Sequence, residues 1–281
     1  MLSLKDSLNA TMDSLLIVVE KPCPVCGGEM KAWKNKDRNG KDRCPPVCTN
    51  LDCRFKSMKI EEVKSINERY EKNLKDRAIN FLKYSSEYPN KELVDCRLET
   101  YKQIDNETDK ASVLAFKFVQ SYFNGNENHL ILTGKSGVGK SHLAMGICWD
   151  ILERSNYSKR CLFINIASFF RNLKFSMNDK TLYKQLEGNL LSEIKICDVL
   201  VIDDLGAELE IKGGTLGNYD HNTLSLIMES RENKATIFTS NLNAKEIQES
   251  YGNRIYSRLN NNSNGFTMRF NETSDKRLTG V

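Results

Sequence analysis

The chain of 281 residues has no long apolar run. Its longest such stretches, Leu15–Val19 and Val199–Ile202, fall far short of the ~18 residues a bilayer-spanning helix needs, so no membrane span is expected. A secretory signal is not expected either, because the first twenty residues carry Asp6, Asp13 and Glu20 in place of a basic start followed by an apolar core. These absences point to a cytoplasmic protein. Proline is scarce, with five residues, and neither an internal repeat nor a low-complexity tract is present, although Asn260–Asn264 reads as an exposed polar loop. The 40% hydrophobic content excludes a wholly disordered chain. At about 150 residues per domain, the length suggests two domains.

Cysteine is plentiful, and its placement matters more than its number. A disulfide framework is not expected of nine cysteines in the cytosol. Cys23, Cys26, Cys44, Cys48 and Cys53 fall within 31 residues, whereas Cys96, Cys148, Cys161 and Cys197 are scattered and read as plain thiols, three of them beside apolar neighbours. Charge is as uneven. Residues 21–59 hold ten Lys/Arg against four Asp/Glu, a local +6 that leaves −2 for the rest of a chain whose total is +4. A basic cysteine module is therefore joined to a nearly neutral larger body.

The spacing of Leu4, Leu8, Met12, Leu15 and Leu16 predicts a short amphipathic helix ending before Pro22. After the cysteine block, Ile60, Val63, Ile66, Tyr70, Leu74 and Ala78 recur at three and four, predicting a helix that Pro89 stops. The expected organisation is an N-terminal zinc-binding module over 1–58, a helical linker over 59–95 and a larger domain over 96–281. In that domain helices (109–123, 141–154, 168–175, 180–195, 221–233) alternate with strands (129–132, 160–166, 198–203, 235–240). The alternation implies an α/β fold with a parallel sheet covered on both faces.

Residues 134–141 read GKSGVGKS, a full match to the phosphate-loop pattern, between a strand and a helix. The stretch Gly134-Lys135-Ser136-Gly137-Val138-Gly139-Lys140-Ser141-His142 is the candidate ATP-binding segment. Its glycines let backbone N–H groups converge on phosphates at a helix N-terminus. Lys140 is expected to reach the β and γ phosphates, and Ser141 to ligate Mg²⁺. The strand Asp198–Asp203 delivers Asp203 as a partner for Mg²⁺ through water, and Asp204 as the group that orients or deprotonates the attacking water. Asn241, ending the strand over 235–240, is placed to hold that water. In GNRIYSRL, over 252–259, Arg254 and Arg258 lie four apart, and Arg258 is the candidate arginine finger for a neighbouring subunit's ATP.

Through GKSGVGKSHLA, VLVIDDLGAE, TIFTSNL and NRIYSRL, in that order, residues 96–281 resemble the DnaC/DnaI-type helicase loaders of bacteria and phages, AAA+ ATPases of the initiator clade. The resemblance implies a P-loop AAA+ domain without a C-terminal lid. It assigns Lys140, Ser141, Asp203, Asp204, Asn241 and Arg258 the Walker A, Walker B, sensor 1 and arginine-finger roles. It implies ATP-dependent loading of a hexameric replicative helicase onto single-stranded DNA, with self-association when ATP-bound, in a bacterium or a phage-infected host. Residues 168–175 (SFFRNLKF) are a candidate grip on single-stranded DNA, or else core with two solvated cations. Residues 206–222, with Gly213, Gly214 and Gly217, enlarge the loop after Walker B. The related IstB-type transposition ATPases share most motifs and are the alternative. A zinc-containing DNA-binding adaptor with a nucleotide switch is a third reading.

Cys23-Pro-Val-Cys26-Gly-Gly reads as a zinc knuckle, and with no His in the region a four-thiolate Zn²⁺ site is expected. The second pair is Cys48 with Cys53, because Cys44 precedes Pro45-Pro46 and the resembling family ends its module with such a pair; Cys44 with Cys48 is the alternative. The module's expected job is docking on the helicase, with DNA contact or pure scaffold as other uses.

Overall fold

Residues 14–38, 40–53, 55, 58–176, 188, 191–210 and 216–277 are described in the computed structural model, with backbone alone for 58–64 and 210. The chain divides into two compact units between Asn73 and Leu74.

In the first unit three short strands, β1 (Leu16–Val19), β2 (Met30–Trp33) and β3 (Val47–Cys48), form an antiparallel sheet in that order. Leu16 pairs with Trp33, and Met30 with Cys48. Residues 16–19 are thus extended, where apolar spacing predicted a helix. Ile17, Val18 and Val19 are β-branched side chains that favour a pleated strand, and β2 supplies the partner. The earlier part of that expected helix lies outside the described residues. Among the described apolar residues of this unit, only Cys23 and Met30 are buried.

Helix α1 (Met58–Asn80) crosses the division between the units. It ends well before Pro89, passing into a π turn at Phe81–Ser85. The chain then extends at Ser86 and docks on the strand β5 (Cys161–Asn165): Glu87 N donates to Phe163 O at 2.8 Å, and Asn165 N donates to Glu87 O at 2.9 Å. A sheet edge thereby gains a partner.

In the second unit β4 (His129–Gly134), β5, β6 (Val199–Leu205), β7 (Thr236–Ser240) and β8 (Thr267–Phe270) form one sheet, ordered β5-β6-β7-β4-β8. Every pairing is parallel. Alternation along the strands sorts the apolar side chains into two cores. Leu130, Leu132, Phe163, Val201 and Ile237 face one, with α2 (Asn106–Phe123) and α3 (Lys140–Arg154). Ile131, Ile164, Ile202 and Phe238 face the other, with α4 (Ile166–Ser176), α6 (Asn218–Ser230) and α7 (Ala244–Asn260). The four-residue helix α5 (Ala207–Glu210) follows β6 directly. This is the expected doubly covered parallel sheet. Of the helix expected over 180–195, residues 191–196 are helical and most of the rest lies outside the described residues.

Two features of this unit had no local signal in the sequence. Strand β8 is an edge of four residues with one fully buried side chain, Phe270. Arg231, 1% exposed, fills the space under β6 and β7, donating to the carbonyls of Cys197 (2.6 Å), Asp198 (3.1 Å) and Ala235 (2.7 Å). Among the described residues no helix is long and apolar enough to cross a membrane.

Candidate nucleotide site and cysteine cluster

The phosphate loop leaves the carboxyl end of β4 and opens α3, so its backbone amides lie at the positive end of a helix. Gly134, Gly137 and Gly139 all have positive φ. At Gly134 a Cβ would come within 2.6 Å of the Phe270 carbonyl oxygen, so close packing by β8 also demands glycine there.

Lys140 is 6% exposed. Its ammonium donates to Gly134 O (2.7 Å), Lys135 O (2.9 Å) and Asn241 Oδ1 (2.9 Å). Burial pushes its pKa down to about 8, against the pull of Asp204 and Asp203. Ser141 Oγ donates to Asp203 Oδ1 at 2.6 Å, and Thr239 Oγ1 donates to the same oxygen at 2.7 Å. Asn241 Nδ2 donates to Asp204 Oδ1 at 2.9 Å. Through its two amide atoms Asn241 therefore joins Lys140 to Asp204. Burial raises the Asp203 carboxyl, which the Ser141 and Thr239 hydroxyls oppose.

Consecutive residues of a regular strand point to opposite faces, yet Asp203 and Asp204 line the same cavity. The β6–β7 register shifts between Ile202 and Leu205, and Asp204 adopts φ 60°, which re-aims its side chain. Asp204 N donates to Thr239 Oγ1 at 2.8 Å and holds the bulge.

The cavity measures about 540 Å³. Beyond the residues above, Tyr101, Asn165, Lys276 and Arg277 line it, none of them singled out by sequence motifs. His142, next in the loop, meets Arg97 O at 2.9 Å and Thr100 Oγ1 at 3.1 Å, tying the segment before α2 to α3. Val138 is buried, and its carbonyl accepts from Tyr101. Arg258 is not among the lining residues. Its guanidinium donates to Glu229 Oε1 (3.0 Å) and Ser225 Oγ (3.4 Å), and Arg254 reaches the same Glu229 oxygen at 3.8 Å.

In α4, Phe169, Phe170 and Leu173 belong to the core, and Lys174 pairs with the buried Asp220 at 3.1 Å. Arg171, Asn172, Lys174 and Phe175 are the exposed members of the stretch proposed for DNA. In the loop after Walker B, residues 211–215 lie outside the described residues.

In the first unit the sulfurs of Cys23, Cys26, Cys48 and Cys53 all lie within 4.8 Å of one another. Cys23 and Cys53 are 3.6 Å apart, and Cys26 and Cys48 3.5 Å. Four thiolates at ~2.3 Å from one tetrahedral ion stand about 3.8 Å apart, so the set is compatible with Zn²⁺. Gly28 leaves room for it, since a Cβ there would lie 3.2 Å from Cys26 Sγ and 3.7 Å from Cys48 Sγ. Cys44 is exposed and outside the cluster.

The profile of the family described as IstB-like ATP binding protein matches residues 67–258. The chain is 28% identical over 172 residues to the replicative helicase loader DnaC of Buchnera aphidicola subsp. Baizongia pistaciae, a match covering 59% of this chain and 63% of that protein. To the replicative helicase loader DnaC of Escherichia coli strain K12 it is 29% identical over 167 residues, with the same coverage. The matched stretch thus spans under two thirds of the length of these relatives. A solved structure of DnaI superposes with a TM-score of 0.55 at 24% identity, covering 71% of this chain and all of that one. That likeness extends the shared fold to most of the chain.

Proposed function

We propose, from the premise that the chain belongs to the family of IstB-like ATP-binding proteins, that it is an ATPase that loads a hexameric replicative helicase onto single-stranded DNA. The observation that carries the ATPase reading is one hydrogen-bonded web: Asn241 joins Lys140 to Asp204, while Ser141 and Thr239 share Asp203. The name borne by the relatives supports the helicase as partner.

In the reaction we propose, water adds to the γ-phosphorus of ATP as the bond to the β–γ bridging oxygen breaks, giving ADP and phosphate. Lys140, held at the loop by Gly134 and Lys135, offers its ammonium to the phosphates. Asp204, re-aimed by the bulge and held by Asn241, orients the water and accepts its proton. Ser141 would ligate Mg²⁺ directly and Asp203, to which it is hydrogen-bonded, through water; the ion bound there would neutralise phosphate charge. Arg258, outside its own cavity, serves the ATP of a neighbouring subunit, which calls for self-association in the ATP-bound state. Cys23, Cys26, Cys48 and Cys53 hold Zn²⁺ and so order the module over 1–58, which docks on the helicase. Residues 59–95 link that module to the ATPase domain over 96–281. The chain's place of work, on this reading, is the cytoplasm.

The test is capture of a replicative helicase by the full chain, with and without ATP, against a chain lacking residues 1–73. The cut stops there because Ala78, Leu82 and Leu93 are buried in the second unit. Capture by the full chain and its loss on deletion are expected; no capture by the full chain would sink the loader reading. The family match itself favours a second reading, an ATPase that assists a transposase. Preference for duplex over single-stranded DNA would favour that reading. Absence of ATP turnover would instead leave a nucleotide-switched adaptor.

A further inference from the structure

The segment after β8 reaches back to the phosphate loop, and its course is held at several points. Glu107, in the first turn of α2, accepts from the backbone N–H groups of Asn271 (3.0 Å), Glu272 (3.1 Å) and Thr273 (2.9 Å) and from the Thr273 hydroxyl (2.7 Å). Burial pushes this carboxyl up, but these donors together hold it at about 2, so it stays ionised. Further on, Lys276 N donates to Gly137 O at 3.1 Å. The Lys276 ammonium lies 3.7 Å above the Tyr101 ring and donates to Lys102 O. Gly137 is what permits the approach, since a Cβ there would lie 1.8 Å from Asp275 Oδ1.

This path sets Arg277 on the phosphate loop. Its guanidinium donates to Ser136 Oγ at 3.0 Å and to Asp275 Oδ2 at 2.8 Å, and its charge contributes to the lowered pKa of Lys140. Arg277 and Lys276 both line the nucleotide cavity. A planar guanidinium beside a phosphate loop is suited to bind phosphate oxygens in bidentate fashion. Asp275 is an internal anion that engages it with a single negative charge. A nucleoside triphosphate brings several, which gives it the advantage in competing for the same donors.

We propose that Arg277 is a phosphate-binding residue of the nucleotide site, supplied in cis by the anchored segment Asn271–Arg277, and that it exchanges Asp275 for the polyphosphate of the bound nucleotide. The proposal rests on the reading of the cavity as an ATP site and adds a contact that the phosphate-loop motifs do not contain. Its role is to favour nucleotides with more phosphates.

Calorimetric titration of the full chain with ATP, ADP and AMP tests it. Arg277→Ala should weaken ATP at least about tenfold and AMP little, lowering the ATP-to-AMP affinity ratio. Asp275→Asn should tighten ATP in the otherwise unchanged chain but not in the Arg277→Ala background. Unchanged ATP affinity in Arg277→Ala overturns the proposal alone, as does an equal loss for all three nucleotides, which would mark a merely structural segment. An equal gain from Asp275→Asn in both backgrounds overturns the exchange. A full chain that binds no ATP overturns the underlying site reading and the proposal with it.

Discussion

The two units are held together by different means. The second has two apolar cores on the two faces of one parallel sheet, with side chains such as Leu130, Phe163, Val201 and Phe238 wholly or almost wholly removed from water. Burial on that scale, at about 25 cal/mol per Å² of apolar surface, orders a domain without a ligand. In the first unit Cys23 and Met30 alone represent buried apolar side chains among the described residues, and three strands of two to four residues cannot supply what a core would. Its four gathered sulfurs take the place of that core. One unit is therefore stabilised by its own apolar side chains; in the other, four sulfurs in a set compatible with Zn²⁺ gather where such a core would stand.

This contrast can be broken from either side. Replacing Cys23 and Cys26 by Ser, or stripping metal with a strong chelator, should abolish the ordered first unit outright while the second keeps its melting temperature. Limited proteolysis with metal analysis checks both halves, and a protease-resistant first unit without zinc would refute the idea. Conversely, Arg231→Ala should cost the second unit about 3–5 kcal/mol, because several buried carbonyls lose their donor and a cavity replaces the side chain. Denaturant unfolding measures the loss, and zinc content should not change. Lys140→Ala should lower ATP affinity about a hundredfold with little change in fold, as the loss of one buried charged donor at ~2.7 kcal/mol implies. The smallest effect is that of pH. The Lys140 pKa is lowered to about 8, so its charged form is halved there and is lost as pH rises further. ATP affinity should accordingly fall as pH rises past about 8, by up to about tenfold per pH unit; constant affinity to pH 9.5 would contradict it.

Legibility followed the range of the interactions. GKSGVGKS and the Asp203-Asp204 pair are contiguous, with chemistry set by local spacing, and the structure puts Lys140, Ser141, both acids and Asn241 around one cavity. Pattern alone could not place Thr239 as the hydroxyl shared by the two acids, since nothing in TIFTS distinguishes it from a core threonine. Helical spacing misled at Leu16–Val19, where two periodicities competed and the β-branched run prevailed. Strand β8 and the cations Lys276 and Arg277 had no signal of their own, because each acquires its meaning from a partner more than a hundred residues away: Ile131, Tyr101 and Ser136.

The position of β4 in the sheet also governs how the chain can fold. Its two neighbours, β7 and β8, are synthesised roughly a hundred residues or more after it. Pairings that close such long loops are slow to form and late to be rewarded. On the ribosome the phosphate-loop strand therefore emerges and waits, with an unpaired hydrogen-bonding edge on each side, until both β7 and β8 have followed. The nucleotide site is begun at β4 and finished only once β8 and the segment that follows it have been made.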